Sequence, residues 1–144
     1  MKQEVDPFEL ERFIKAQDRV YERVCAELRN GRKESHWMWF IFPQVRGLGS
    51  SETAKAFGIA SCEEAEAYLK HPILGTRLRE CSGLVNLIEG RSAENIFGYP
   101  DNLKFRSSMT LFAKVSSDRV FQDALTKFFA GEPDERTLFL LRGH

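Results

Sequence analysis

The run Trp37 to Phe42, WMWFIF, most constrains what this chain can fold into. Six consecutive apolar residues cannot all face one side of a helix or strand. The run is therefore covered nearly all round, or it presents an aromatic to a ligand or partner. Each large aromatic removes roughly 150–250 Å² from water when buried, so Trp37, Trp39, Phe40 and Phe42 are the largest local source of core area. Ser35 suits an N-cap, and Pro43 closes a helix at Phe42, which predicts a short central helix. A strand is the second choice, because periodicity cannot separate the two in so short a run. The wider stretch Arg32–Gly49 holds both tryptophans and one of the three histidines. Arg32 and Lys33 precede the run, and Gln44 and Arg46 follow it. The two indole N–H groups need partners, and so does the His36 ring if it is buried.

The rest of the chain reads as helices. Asp6-Pro7 is an N-cap acid followed by proline, and the apolar positions Phe8, Phe13, Val20, Val24 and Leu28 predict one long amphipathic helix ending at Gly31. Glu52–Phe57 predicts a short helix stopped by Gly58. Ser61 with Glu64 forms a capping-box pattern, and that helix ends before His71-Pro72. Pro72 opens the next helix, which contains Gly75 and Gly83 and ends at Gly90; close packing would account for the two internal glycines. Ser92, Asp101, Ser117 and Asp134 each read as a further helix start. No stretch alternates with period two. The expected fold is all-α: a compact array of about seven helices in one domain, 1–144, with at most one short extended segment near the aromatic motif.

Charge narrows the function classes. Lys plus Arg and Asp plus Glu are 21 each, so the formal net charge is zero. No global field attracts nucleic acid or an anionic membrane, and no apolar stretch has the length of a membrane span. The acidic N-terminus has no apolar core of a signal peptide. Three cysteines, Cys25, Cys62 and Cys81, lack metal-type spacing and form an odd set, which predicts reduced thiols and a cytoplasmic protein. His36, His71 and the terminal His144 lack the spacing of a metal site. Gly47-Leu48-Gly49 lacks the third glycine of a dinucleotide fingerprint, and no phosphate-binding glycine loop is present. No cofactor is expected. No feature sets the oligomeric state.

Two clusters remain. In the first, His36, Trp37 and Trp39 stand beside Arg32, Lys33, Gln44 and Arg46. An aromatic wall with cationic and amide donors suits a planar, anionic or phosphorylated ligand. A neutral His36 imidazole near a helix start can act as base or donor, which makes it the best catalytic candidate. In the second, Lys104, Arg106, Ser107 and Ser108 follow Asp101 on a helix otherwise rich in core residues. Lys104, Ser107 and Ser108 share one face. The structural alternative puts the tryptophans in the core and the serine hydroxyls on their own helix backbone.

The strings GRKESHWMWFIFPQVRGLG, GIASCEEAEAYLKHPILGTRLREC and GRSAENIFGYPDNLKFRSSMTLFA resemble the bacterial family known as domain of unknown function 1810, over about residues 6–129. Some members of that family carry the label calpastatin, but this chain does not resemble the disordered protease inhibitor of that name. The resemblance implies a small, mainly helical, cytosolic domain, and it implies no activity or catalytic residue. Its signature strings, His36–Gln44, His71-Pro72 and Lys104–Phe112, coincide with the two clusters. The leading expectation is a small-molecule pocket, anionic or nucleotide-like in preference, where the His36 segment meets the Lys104–Ser108 helix. The alternative is a structural or protein-interaction module without catalytic activity.

Overall fold

The computed structural model describes residues 6–142; the first five residues of the acidic N-terminus and His144 lie outside the described residues. Ten helices are present among them. They are α1 (Glu11–Asp18), α2 (Tyr21–Arg29), α3 (Met38–Ile41), α4 (Glu52–Ala56) and α5 (Cys62–Lys70). Then follow α6 (Leu74–Asn86), α7 (Ala93–Phe97), α8 (Asp101–Val115), α9 (Arg119–Phe129) and α10 (Glu135–Arg142). No strand occurs among the described residues. The expected extended segment is one parallel bridge between Val45 and Ile59. There the Ile59 N–H donates to the Gln44 carbonyl and the Arg46 N–H to the Ile59 carbonyl, each at 2.8 Å. The chain is all-α as expected, and no helix of the described residues is long and apolar enough to cross a membrane.

The helix count exceeds seven partly because the long first helix is two. Val20 leaves the helical region at φ −129° and ψ −2°, between α1 and α2. Neither Gly nor Pro marks this break. Its cause is tertiary: the buried Gln17 amide donates to the Phe40 carbonyl at 2.7 Å and to the Tyr68 hydroxyl at 3.0 Å. Satisfying that buried amide fixes the end of α1 against α3 and α5. The start also moves. Asp6 accepts from the Leu10 and Glu11 N–H groups at 2.9 and 3.1 Å, so it caps α1 from a turn away and Pro7 stays outside the helix. At the other end Gly31 has φ +76°. The Arg32 N–H donates to the Glu27 carbonyl and the Gly31 N–H to the Leu28 carbonyl, each at 3.0 Å. This left-handed glycine closure turns the chain back across the last turn of α2.

Several caps are where the sequence puts them. Ser61 accepts from the Glu64 N–H at 3.1 Å, although Glu64 answers to Ala60 and not to Ser61 itself. Ser92 and Asn95 form a complete capping box. Asp134 accepts from the Thr137 N–H at 2.9 Å. Others differ. Asp118, not Ser117, caps α9. Asp101 is the first residue of α8, behind Pro100, and caps nothing. Ser35 is not the cap of α3, whose N-cap is Trp37. Pro72 does not open α6, which starts at Leu74 with the His71 Nδ1 accepting from the Ile73 and Leu74 N–H groups.

Helix α8 is the axis of the packing, with α9, α5, α7, α10 and α3 against it. Its Phe105 meets Phe42 edge-on at 5.0 Å and stacks on Phe97 at 4.7 Å. Further along, Phe112 packs between Tyr68 and Phe121. All of these rings except Phe97 are fully buried, and Phe97 is 5% exposed. The aromatic segment is thus driven into the N-terminal half of α8 by ring burial. That contact places the two candidate clusters side by side.

Candidate functional site

The two tryptophans have different jobs. Trp37 is 1% exposed and belongs to the core, whereas Trp39 is half-buried. The Trp37 indole N–H donates to Glu27 Oε1 at 2.8 Å. The same carboxylate accepts from the Glu34 N–H at 2.8 Å, the Ser35 N–H at 3.1 Å and the Ser35 hydroxyl at 2.6 Å. Burial pushes the Glu27 carboxyl up, but the donors from Ser35, Glu34 and Trp37 outweigh it and hold the group below its ordinary value. Glu27 therefore fastens residues 34–37 onto the end of α2. The backbone N–H of Lys33 adds a bond to the Ile96 carbonyl at 2.7 Å.

This clamp leaves one face of the segment open toward the start of α8. A cavity of about 390 Å³ lies there, walled by Trp37, Trp39, Lys33, Lys104 and Asp101, with His36 and Thr53 at its edge. Asp101 binds both ammonium groups, Lys33 at 2.9 Å and Lys104 at 3.1 Å. Each lysine also lies over an indole: Lys33 Nζ is 5.2 Å from the Trp37 ring centre and Lys104 Nζ is 4.3 Å from that of Trp39. Aromatic faces and one carboxylate together hold two cations close to each other. Burial raises the Asp101 carboxyl, and the hydrogen bonds and charges of Lys33 and Lys104 more than reverse this, leaving it below its ordinary value. Two lysines against one aspartate leave one positive charge in excess.

A second cavity of about 210 Å³ adjoins the first across Trp39 and Lys104, and Gln44 and Ser107 line it. The Gln44 side chain is 6% exposed, and its Nε2 has no hydrogen-bond partner. A buried amide donor without a partner is uncommon in folded proteins. Ser107 donates its hydroxyl to the Leu103 carbonyl at 3.1 Å, the local helix bond expected of a serine inside a helix.

The fold thus brings together Lys33, His36, Trp37, Trp39 and Lys104, with Gln44 and Ser107 behind them. It separates the others. Arg32 points to solvent. Arg46 lines a different cavity with Arg12 and Glu64. Arg106 turns to the Glu132 carbonyl at 3.0 Å and over the Phe129 ring. Ser108 is fully buried with its hydroxyl unpartnered and touches neither cavity wall. Two residues escape sequence reading. Asp101 looks like a cap, though its spacing to Lys104 is that of a helical ion pair. Glu27 looks like any charged residue of a helix surface.

The family model for protein of unknown function DUF1810 matches residues 7–141. The crystal structure of the conserved hypothetical protein Rv1873 from Mycobacterium tuberculosis is 57% identical and superposes with a TM-score of 0.94. The match covers 95% of this chain and 99% of that one. Among curated proteins none matches. With the model spanning nearly the whole chain and a relative of that identity sharing its fold, the chain belongs to the DUF1810 family.

Proposed function

We propose that the cleft between the His36–Trp39 segment and the start of α8 binds a small anionic molecule, carrying phosphate or carboxylate. The observation that carries this is the shared aspartate: Lys33 and Lys104 together have one carboxylate between them inside an aromatic-walled cavity. Each ammonium has three donors and Asp101 uses one, so donors remain for an anion seated between them. The unpartnered Gln44 amide supplies a further donor deeper in the cleft. Because Lys104 covers one face of Trp39, a planar group has less stacking surface than the sequence suggests, and the charge carries more of the recognition. His36 is exposed at the mouth, where it can donate to a ligand or exchange a proton with it. The proposal is binding, and it stands whether or not a reaction follows.

The competing reading, an interaction module, draws on Tyr99 and Leu103, exposed apolar residues beside the smaller cavity. A thermal-shift screen separates the two. Phosphate, pyrophosphate, nucleotides, nucleotide sugars and ADP-ribose-like compounds are tested against wild type, Lys104→Gln and His36→Ala. A ligand at a hundredfold excess over its Kd stabilises by about 2.7 kcal/mol, several degrees in melting temperature. The expected result is a rise for one phosphorylated compound, lost in Lys104→Gln and weakened in His36→Ala, with both variants otherwise near wild-type stability. No rise with any compound, or a rise indifferent to Lys104→Gln, would count for the interaction module.

A further inference from the structure

Two cavities meet at Trp39 and Lys104, and they differ in charge. The larger, about 390 Å³, holds Lys33 and Asp101 as well as Lys104. In the smaller, about 210 Å³, Lys104 is the sole Lys, Arg, Asp or Glu among the residues that line it, and Leu48, Pro100 and Leu103 form an apolar wall. Packing holds the partition between them. A Cβ on Gly49 would stand 3.1 Å from Trp39 Cη2, so the edge of the indole rests close against the Gly49 backbone. Lys104 Nζ covers the ring itself, 4.3 Å from its centre. An anion held at Lys104 therefore has room beside it in both cavities.

The charge count limits what that anion can be. The Lys33 side chain is only 8% exposed, and Asp101 is the carboxylate it shares with Lys104. One ligand charge makes the group neutral. A second would stand uncompensated beside Asp101, where leaving water is costly for a charge without a partner. A phosphate monoester carries about 1.5 to 2 negative charges at neutral pH. A phosphodiester carries one. It also has two free oxygens, one for each ammonium, and two ester arms, one for each cavity. A carboxylate has the right charge but a single arm.

We propose, resting on the anion-binding reading of this cleft, that its ligand is a small phosphodiester. The phosphate sits between Lys33 and Lys104, with one arm beside Trp37 in the larger cavity and the other against Pro100 and Leu103 in the smaller. Asp101 sets the charge selectivity. Its carboxylate takes one donor from each lysine and repels a ligand that brings a second negative charge. That repulsion grows in proportion to the ligand charge, so a dianion feels it about twice as strongly as a monoanion.

The test follows the Trp39 indole signal of the full chain through titration at neutral pH with benzoate, phenyl phosphate and diphenyl phosphate. These share one ring type and differ in charge and number of arms. Diphenyl phosphate is expected to bind about tenfold or more tighter than either of the others. Asp101→Asn, which keeps the side-chain shape, should tighten phenyl phosphate more than diphenyl phosphate and narrow the gap. Circular dichroism checks that the variant folds, and the wild-type series stands without it. Competition against diphenyl phosphate by a dinucleoside monophosphate and by glycerophosphoglycerol then separates a nucleotide source from a lipid headgroup, and at least one of them must compete. If no anion of the series moves Trp39, the anion reading of the cleft itself fails. If the cleft binds anions but phenyl phosphate or benzoate matches diphenyl phosphate, or neither natural diester competes, that reading survives and the phosphodiester assignment is overturned.

Discussion

Gly75→Ala is expected to destabilise the protein by about 3 kcal/mol or more, whereas Gly83→Ala in the same helix is expected to stabilise it by up to about 1 kcal/mol. A Cβ on Gly75 would stand 2.0 Å from the Leu69 carbonyl oxygen and 2.9 Å from Arg79 Nη1. The first of these is backbone, so relief requires α5 and α6 to separate. A Cβ on Gly83 meets nothing within 4 Å, and there only the helix preference for alanine acts. Urea unfolding of the two variants measures both signs in one series. Effects of the same sign and size would contradict the close approach of α5 to α6 at Gly75.

The sequence predicts close packing at both glycines, and it holds at one. Spacing along a helix is visible in a sequence, but what approaches its surface is not. The same limit runs through the fold. Caps at Ser61, Ser92 and Asp134 are legible because cap and capped N–H lie within a few residues of each other. The break at Val20 is not, because its cause is the Gln17 amide reaching Phe40 and Tyr68. At the cleft the residue types were legible and their directions were not. Arg32, Arg46 and Arg106 have the right chemistry, but they point elsewhere. Asp101 reads as a cap until Lys33 is placed beside it.

Glu27→Ala is the second large effect, expected to cost about 2–4 kcal/mol. The truncation strips an acceptor from two backbone N–H groups, the Ser35 hydroxyl and the Trp37 indole. Water can repair the partly exposed donors, but it cannot reach the indole of a residue that is 1% exposed. The segment that walls the cleft should loosen with it, seen as faster amide exchange over residues 33–37. Acid isolates the electrostatic part. Glu27 is held below its ordinary value of 4.5, so its contribution is present above that pH and is lost as pH falls through the folded-state value. Asp101 acts with the same sign. Wild type should therefore lose melting temperature below pH 4.5 more steeply than Glu27→Gln, which begins lower and stays flatter. Parallel curves for the two proteins would show that the Glu27 charge does not stabilise the segment.

The two tryptophans divide the labour: Trp37 is clamped in the core by Glu27, and Trp39 faces the cleft for which we propose anion binding. The chain has two tryptophans, so an 15N-edited spectrum contains two indole N–H signals that can be followed separately. Titration with pyrophosphate, and then with the best compound from the thermal screen, tests the claim directly. The Trp37 indole is expected to exchange slowly and stay nearly still, while the Trp39 indole exchanges fast and shifts to saturation, with the shift abolished in Lys104→Gln. Equal exchange rates, or a Trp39 signal that no anion moves, would contradict it.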